Sequence, residues 1–370
     1  METIKIAFCN RPSYDKPLGG DAIQMLQTKK HLEESYNLKI DIVTDANNIT
    51  SDYALVHVFN FLTYKVTAKF IKRAKQLNIP VVSSCIYWDY SYASACILYK
   101  ILGYPSYLNY RYLRFIRSLL HAISFISPKP TGVSRIFRTH VCKFIKDSAI
   151  IAPNSKEEGD LLLKFAGITD NSKIRVIYNG VSIKNNNIIP EKTFFSMYQI
   201  PRNYILQVGR IEGLKNQLNL VYALKDNPEI PIVFIGEEFD KKYVNRLRSL
   251  SEARGNVFFL GKIPHEYIAS FYRYAALHVL LSLRESPGLV SLEACSLHCP
   301  IVLSTSQFLP LKTYFEGAPY VADPLNIQNI KDTVLKAYRE RSVYSIDLSR
   351  FSWDNVANQT FQVYKELLDK

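Results

Sequence analysis

The sequence predicts an α/β protein made of two doubly wound domains. Short apolar runs typical of buried parallel strands alternate with apolar-periodic segments typical of helices, as expected for strands joined by crossover helices. A chain of 370 residues is long for one domain and comfortable for two. A polar stretch with prolines near both ends interrupts the alternation at residues 182–203, which we predict to be a linker. The predicted domains are 1–181, joined by a C-terminal helix at about 353–370, and 204–352.

The alternation can be followed element by element. In the first half, the strongest strand patterns cover residues 3–9, 39–43, 54–60, 81–85, 148–153 and 173–178, and helix patterns cover 20–36 and 64–77. Asn154 and Ser155 supply capping side chains for a further helix. In the second half, strands are predicted over 204–208, 232–236, 257–261, 276–283 and 300–303, and a helix over 289–297.

One loop of the second half has the features of a phosphate site. It runs from Arg284 to Gly288, between a predicted strand and the predicted helix 289–297. The first turn of a helix exposes backbone N–H groups at its positive end, and such a turn binds anions. Strand, short loop, helix and strand together predict a βαβ unit organised around this loop.

The βαβ unit contains two acidic residues, and the loop after the predicted strand 204–208 contains two basic ones. Glu285 and Glu293 would be roughly 12 Å apart on a continuous helix, which is too far to act on one bond but suits the two ends of a long ligand. Arg210 and Lys215 follow a predicted strand and Gly209, where they would make a cationic site for a diphosphate. For each pair, ordinary solvated charges are the alternative interpretation.

These residues resemble a known signature. Glu285-x7-Glu293, with Ser286-Pro287-Gly288-Leu289-Val290 inside it and Leu-Glu-Ala at its end, is similar to the E-x7-E motif of retaining GT-B glycosyltransferases of family 4. The usual form is E-G-F-G-L-x-x-L-E-A followed by x-G-x-P-V, so Ser286-Pro287 replaces Gly-Phe and His298 replaces a glycine. The resemblance covers nearly the whole chain and is most specific from about 204 to 324.

The resemblance implies a GT-B fold, in which two Rossmann-like domains face each other across a cleft and the second binds a nucleotide diphospho-sugar. It assigns the ribose to Glu293, the sugar to Glu285, and the leaving diphosphate to Arg210 and Lys215. The remaining donor contacts fall on Gly19, Gly20, Ile263, Ser286, Pro287, Gly288, Leu289 and Val290. It also implies retention of anomeric configuration. No Asp-x-Asp motif is present, so we expect no metal and no cofactor beyond the co-substrate.

Candidate residues for the acceptor site carry a weaker sequence signal than those for the donor site. His57 ends a predicted strand at the side where open α/β sheets bind ligands, although a core histidine explains it equally well. Trp88 and Asp89 occupy the stretch where many family members place a histidine. By resemblance, we expect a glycan or a polyprenyl-diphosphate-linked acceptor, in the synthesis of a bacterial surface polysaccharide such as O-antigen or capsule.

The net charge of +13 requires an anionic partner or reflects general solubility. We find no nucleic-acid motif and expect an anionic membrane surface instead. Residues 86–126 are rich in tyrosine and carry Arg111, Arg114 and Arg117 among apolar residues, which suits either a bilayer interface or helices packed on the sheet.

The chain shows neither a signal-peptide layout nor an apolar run of ~18 residues that would span a membrane. We therefore expect a cytoplasmic protein, peripheral on the inner face of the plasma membrane. The six cysteines are scattered and predict reduced thiols.

Two other functions remain open at this stage. One is another GT-B enzyme, such as a nucleotide-sugar 2-epimerase or a phosphorylase. The other is a non-catalytic protein that binds membrane or nucleic acid through its basic charge.

Overall fold

The computed structural model describes residues 3–16, 19–89, 92, 103–105, 107, 115, 134–181 and 188–369. The chain divides into two compact units. The first comprises Met1–Asp89, Ile123–Val181 and Ser349–Lys370, and the second comprises Tyr90–Ala122 and Ser182–Leu348.

The first unit contains a five-stranded parallel sheet with the order β2-β1-β3-β4-β5. Its strands are β1 (Ile4–Cys9), β2 (Leu38–Val43), β3 (Leu55–Phe59), β4 (Val81–Ser84) and β5 (Ile150–Ile151). The predicted strand at 173–178 is confirmed only in part. Its backbone runs parallel to β5: the Ile151 amide donates to the Lys173 carbonyl and the Arg175 amide to the Ile151 carbonyl, both over 2.9 Å, and Ile174 bridges Ile151, but the segment forms no longer ladder with the sheet.

Helices cover both faces of this sheet. They are α1 (Gly20–Ser35), α2 (Tyr64–Gln76), α3 (Arg135–Asp147), α4 (Lys156–Ala166) and the C-terminal α12 (Trp353–Leu368). Successive residues of β1 point to opposite faces, so Ile6 and Phe8 pack in a core with α1 and α12. Ala7 and Cys9 pack in the other core, with α2, α3 and α4.

The C-terminal helix is fixed to the first unit by backbone and ring contacts. The Val181 amide donates to the Phe351 carbonyl over 2.8 Å. The Trp353 indole lies directly over Gly180, where an added Cβ would approach it to 2.3 Å. Gly180 is therefore the residue that lets this helix pack closely.

The second unit contains a six-stranded parallel sheet with the order β11-β10-β9-β6-β7-β8. Its strands are β6 (Ile205–Val208), β7 (Ile232–Ile235), β8 (Val257–Phe259), β9 (Leu277–Leu280), β10 (Ile301–Ser304) and β11 (Val321–Ala322). Its described helices are α5 (Glu191–Tyr198), α6 (Gln217–Ala223), α7 (Lys241–Arg254), α8 (His265–Tyr274), α9 (Leu289–Ser296), α10 (Leu311–Tyr314) and α11 (Ile327–Glu340).

Most of the segment predicted as a linker is folded onto the second unit. Helix α5 lies within it, and Phe194 of that helix is fully buried with its ring 4.8 Å from the ring of Phe271. The Tyr274 hydroxyl donates to the Ile189 carbonyl over 2.7 Å. The polar composition of the segment gave no indication of these contacts with the second unit. Residues 182–187 lie outside the described residues.

Three described tyrosines within residues 90–122 contact the second unit, although the sequence placed this segment in the first domain. The Tyr92 hydroxyl accepts a hydrogen bond from the Gln307 amide at 2.9 Å. The Tyr104 hydroxyl donates to Asp240 at 3.1 Å, and the Tyr107 ring stacks on Tyr222 at 4.5 Å. Apart from these and the few other described positions, the predicted amphipathic segment 86–126 lies outside the described residues.

Candidate functional site

The loops after β6 and β7 meet through their backbones. Gly236 follows β7 with φ +151°, and a Cβ added to it would lie 2.0 Å from the Gly209 carbonyl oxygen. The Gly209 amide donates to the Ile235 carbonyl over 2.8 Å. Only glycine fits at Gly236, because any side chain would push apart the two strand ends. This contact fixes the start of the loop that carries Arg210.

Arg210 is held between an acid and an aromatic ring. A terminal guanidinium nitrogen lies 2.9 Å from Glu212 Oε1, and the guanidinium carbon lies 4.7 Å from the centroid of the Phe239 ring. Both contacts orient the planar cation, while its side chain stays 45% exposed. Sequence reasoning missed Phe239, since no motif marks a ring 29 residues away in another loop.

Lys215 and Glu285, predicted from separate motifs, form an ion pair. Their side chains are 19% and 12% exposed. Two hydrogen bonds hold the flanking backbone: Gln207 Nε2 donates to the Lys215 carbonyl over 2.6 Å, and the Glu285 amide donates to the Phe308 carbonyl over 2.7 Å. The β6 and β9 loops therefore bring a cation and a carboxylate together at neighbouring strand ends.

The predicted phosphate loop ends in a left-handed glycine. Gly288 caps α9 with φ +93°, and its carbonyl accepts from the Ser291 amide at 2.9 Å. A Cβ there would lie 3.1 Å from a Leu280 methyl carbon. Glycine thus permits both the turn and the close approach of helix to strand. Its predicted companions differ in burial: Pro287 is buried, and Ser286, Leu289 and Val290 are half-buried.

Glu293 projects from α9 toward two side chains of α8. One carboxylate oxygen lies 3.1 Å from His265 Nε2, and the other accepts from the Tyr272 hydroxyl over 3.4 Å. Burial, together with the negative charge of Glu293, raises the pKa of Tyr272 well above its ordinary value, so this hydroxyl stays a donor. Half-buried Ile263 lies two residues before His265. Sequence reasoning did not identify His265 or Tyr272 as partners of this carboxylate.

A buried histidine ties α9 to the strand beneath it. His278 of β9 lies 3.2 Å from the Ser291 hydroxyl through Nε2. Burial lowers the pKa of His278 to about 3, so the imidazole is neutral at physiological pH. It therefore supports the helix without adding charge beneath the loop from Arg284 to Gly288.

In the first unit, Gly19 and Gly20 begin α1. Gly19 is the N-cap, and a Cβ there would lie 2.7 Å from Asp21 Oδ1. Asp21 is ion-paired with Arg11 and also accepts from Asn60 Nδ2 over 3.1 Å. This network orders the helix start, and the close approach of the Asp21 carboxylate favours glycine at position 19.

His57 is a core histidine, which corrects its assignment to an acceptor site. It is fully buried, with Nδ1 at 2.6 Å from the Tyr364 hydroxyl and Nε2 at 2.9 Å from the Ser84 hydroxyl. Burial lowers the pKa of His57 to about 3. Nδ1 ties the C-terminal helix α12 to the sheet and Nε2 contacts the neighbouring strand β4, so neither nitrogen is presented to a substrate.

Trp88 and Asp89 follow β4. Trp88 is 1% exposed, while Asp89 is half-buried. The turn that leads to them is held by Glu158, whose carboxylate accepts from the Tyr87 amide at 2.9 Å. Asp89 is therefore the more accessible of these two residues.

Two further features bear on function within the described ranges. No group of three or more histidine, cysteine, aspartate or glutamate side chains is arranged to hold a metal ion there. Nor do those ranges contain a helix whose length and apolarity would let it cross a membrane.

The second unit matches a known family. Residues 192–348 match the model of the family described as glycosyl transferases group 1. This segment includes both cations, both acids and the whole of the loop from Arg284 to Gly288.

Solved structures show that the fold is GT-B, as predicted. HepE from Anabaena, in complex with UDP, aligns with a TM-score of 0.69 at 16% identity, covering 98% of this chain and 100% of that one. Sucrose-phosphate synthase from Thermosynechococcus elongatus aligns with a TM-score of 0.71 at 16% identity, covering 99% of each chain.

Two relatives are similar in sequence over part of the chain. An uncharacterized glycosyltransferase of Methanocaldococcus jannaschii is 30% identical over 214 residues, which is 53% of this chain and 55% of the relative. The O-antigen chain mannosyltransferase B of Escherichia coli is 29% identical over 184 residues, covering 46% of this chain and 48% of the relative. The matched segments thus span about half of each relative's length.

Proposed function

We propose that this protein is a glycosyltransferase that moves a sugar from a nucleotide diphospho-sugar to a glycan or lipid-linked acceptor, with retention of anomeric configuration. The observation that carries the proposal is the convergence of Lys215 and Glu285 in one ion pair, with Arg210 in the same loop as Lys215 and the N-terminus of α9 following Glu285. The family match over 192–348 and the nucleotide-bound GT-B neighbour support it.

In this proposal, the donor diphosphate lies against the cations of the β6 loop. Its negative charge grows as the bond from the anomeric carbon to the diphosphate oxygen breaks. Arg210, Lys215 and the backbone amides after Gly288 stabilise that charge, an effect often worth 10²–10³ in rate for a single donor group. These groups supply the positive charge that a metal ion would otherwise provide, so we propose a metal-independent reaction.

The acceptor hydroxyl forms the new glycosidic bond on the same face that the diphosphate leaves. Its proton passes to the departing diphosphate oxygen, which balances the reaction without a protein base. Glu285, released from Lys215 when the diphosphate binds that lysine, accepts hydrogen bonds from the sugar hydroxyls. Glu293, oriented by His265 and Tyr272, accepts those of the ribose.

We place the reaction in the synthesis of a surface polysaccharide of the O-antigen type, at the cytoplasmic face of the plasma membrane. The similarity to an O-antigen chain mannosyltransferase supports this setting, and so does the net charge of +13. Mannose is therefore one of the donor sugars to test, beside the common hexoses.

Release of nucleotide diphosphate from UDP-, GDP- and ADP-sugars, with and without a lipid-linked glycan acceptor, tests the proposal. We expect release that depends on acceptor, and a fall of about 100-fold in turnover for Glu285→Gln. Glu252→Gln, on an exposed position of α7, is the matched control and should retain full turnover.

Release without acceptor, accompanied by a changed sugar at C2, would instead establish a 2-epimerase. Equal turnover for the Glu285→Gln and Glu252→Gln variants would refute the role assigned to Glu285.

A further inference from the structure

Two neighbouring helices of the first unit carry most of the excess charge. Helix α2 contains five basic residues and no acidic one, and α3 contains four basic residues and one acid. Their combined net charge of +8 compares with +13 for the whole chain. The acid, Asp147, is paired with Lys75.

These charges point away from the core. Lys65, Lys69 and Lys72 lie at i, i+4 and i+7 on α2, which is one stripe of a helix, and all three are exposed. The opposite stripe of α2 is buried in the core. On α3, Lys143 and Lys146 are likewise exposed. Within the described part of the chain, these five lysines make no ion pair.

The helices on the other face of the same sheet are charged differently. On α1, Lys29 pairs with Glu33 at 2.5 Å and Lys30 with Glu34 at 3.9 Å. Helix α12 carries Asp354 and Glu366 against a single lysine, Lys365. Among these four helices, the excess positive charge therefore lies on α2 and α3. We name their exposed surface the α2–α3 face and define it by these residues: Lys65, Lys69, Lys72, Arg135, Arg138, Lys143 and Lys146.

We propose that the α2–α3 face binds the surface of an anionic lipid bilayer; this inference rests on the membrane setting of the proposed function and names the surface responsible. Lysines on flexible stems suit a diffuse negative potential, to which each basic residue near the surface adds affinity. Ile136, 40% exposed between Arg135 and Arg138, supplies an apolar contact at the same level.

Single-stranded nucleic acid is the competing partner for a basic face. Its binding depends on aromatic rings on which bases stack. The aromatic residues of α2 and α3 are instead buried, namely Tyr64, Phe70, Phe137 and Phe144. The α2–α3 face thus offers cations and an aliphatic side chain, which fits lipid headgroups better than bases.

Co-sedimentation of the full chain with vesicles tests the proposal, using phosphatidylcholine alone and phosphatidylcholine mixed with phosphatidylglycerol. We expect binding to the anionic vesicles only, weakening as salt is raised. A triple variant, Lys65→Gln, Lys69→Gln and Lys72→Gln, should bind about 100-fold more weakly. The matched control, Lys30→Gln, Lys39→Gln and Lys365→Gln, removes the same charge elsewhere on the first unit and should bind like the parent.

Nucleotide binding, measured on the same preparations, separates this proposal from the catalytic one. Both triple variants should bind nucleotide diphosphate like the parent, since no substituted lysine lies in the second unit. Equal loss of vesicle binding in both triples, or no binding to anionic vesicles by the parent, would overturn the assignment. Preferential binding of a single-stranded oligonucleotide, lost in the α2 triple, would assign the face to nucleic acid instead.

Discussion

Replacing Gly236 with alanine tests whether the backbone contact between the β6 and β7 loops positions Arg210. The new Cβ would lie 2.0 Å from the Gly209 carbonyl oxygen, whereas carbon and oxygen normally approach to about 3.3 Å. The obstructing atom is backbone, so the strand ends must separate. The loop that begins at Gly209 would then move, and Arg210 with it.

The magnitude follows from two contributions. Alanine at φ +151° costs on the order of 1–3 kcal/mol. Separation of the strand ends also weakens the bond from the Gly209 amide to Ile235 or that from the Gly236 amide to Gly261, each 2.8 Å long and worth about 1 kcal/mol. We therefore expect a loss of about 3 kcal/mol in the free energy of unfolding of the second unit.

Gly255 provides the control. Its φ of +80° and ψ of 165° strain alanine by the same order of 1–3 kcal/mol, but no atom lies within 4 Å of the added Cβ, so only this conformational cost should be lost. Urea denaturation followed by circular dichroism reports on both units, while both tryptophans, Trp88 and Trp353, lie in the first. We expect the Gly236→Ala effect in the circular dichroism transition. Equal losses for the two variants would refute the argument from close backbone contact.

Three further predictions concern titration and the cationic site. Burial lowers the pKa of both His57 and His278 from 6.5 to about 3, so the unfolded chain binds protons that the native chain does not. The contribution of each histidine to the free energy of unfolding should therefore be complete above about pH 6.5. Between pH 6.5 and pH 3 it should fall by up to about 1.4 kcal/mol per pH unit for each histidine. Urea denaturation at stepped pH values measures this, and a flat profile between pH 6.5 and pH 3 would contradict it. Phe239→Ala should lower turnover about tenfold with little change in stability, because the exposed ring orients Arg210. Phe239→Tyr, which keeps a ring at this position, should restore turnover. Loss of stability without loss of turnover would contradict the orienting role of Phe239. Lys215→Met should destabilise the second unit by about 1–3 kcal/mol, because it leaves Glu285 unpaired, and adding Glu285→Gln should recover part of that loss in a double-mutant cycle; an additive result would show that the pair is not coupled.

Much of the fold could be predicted because buried parallel strands have short, continuous apolar sequences. Each predicted core strand except 173–178 is present, and the shortest, β5, is part of a predicted run. Lys173–Tyr178 is only partly a strand, because apolar alternation does not reveal how far the neighbouring strand extends. Its neighbour β5 has two residues, and the Ile177 amide bonds to the Pro153 carbonyl beyond the end of that strand.

The site was predicted where its residues share a local motif and missed where they do not. Arg210, Lys215, Glu285 and Glu293 lie in recognisable strand-to-helix loops. Phe239, by contrast, meets Arg210 only through the topology of the sheet.

His57 shows why a residue with a predicted functional role can instead be part of the core. A histidine at a strand end looks the same in sequence whether it faces a ligand or the core. Only the contact with Tyr364, 307 residues away, decides between them.

Binding of nucleotide diphosphates without added metal tests the central claim most directly. A thermal-shift comparison of UDP, GDP, ADP and their sugars should show stabilisation by one nucleotide. That shift should be lost in Glu293→Ala, which removes the carboxylate held by His265 and Tyr272, and kept in Glu252→Ala. No shift with any nucleotide, or a shift unaffected by Glu293→Ala, would contradict the donor site described above.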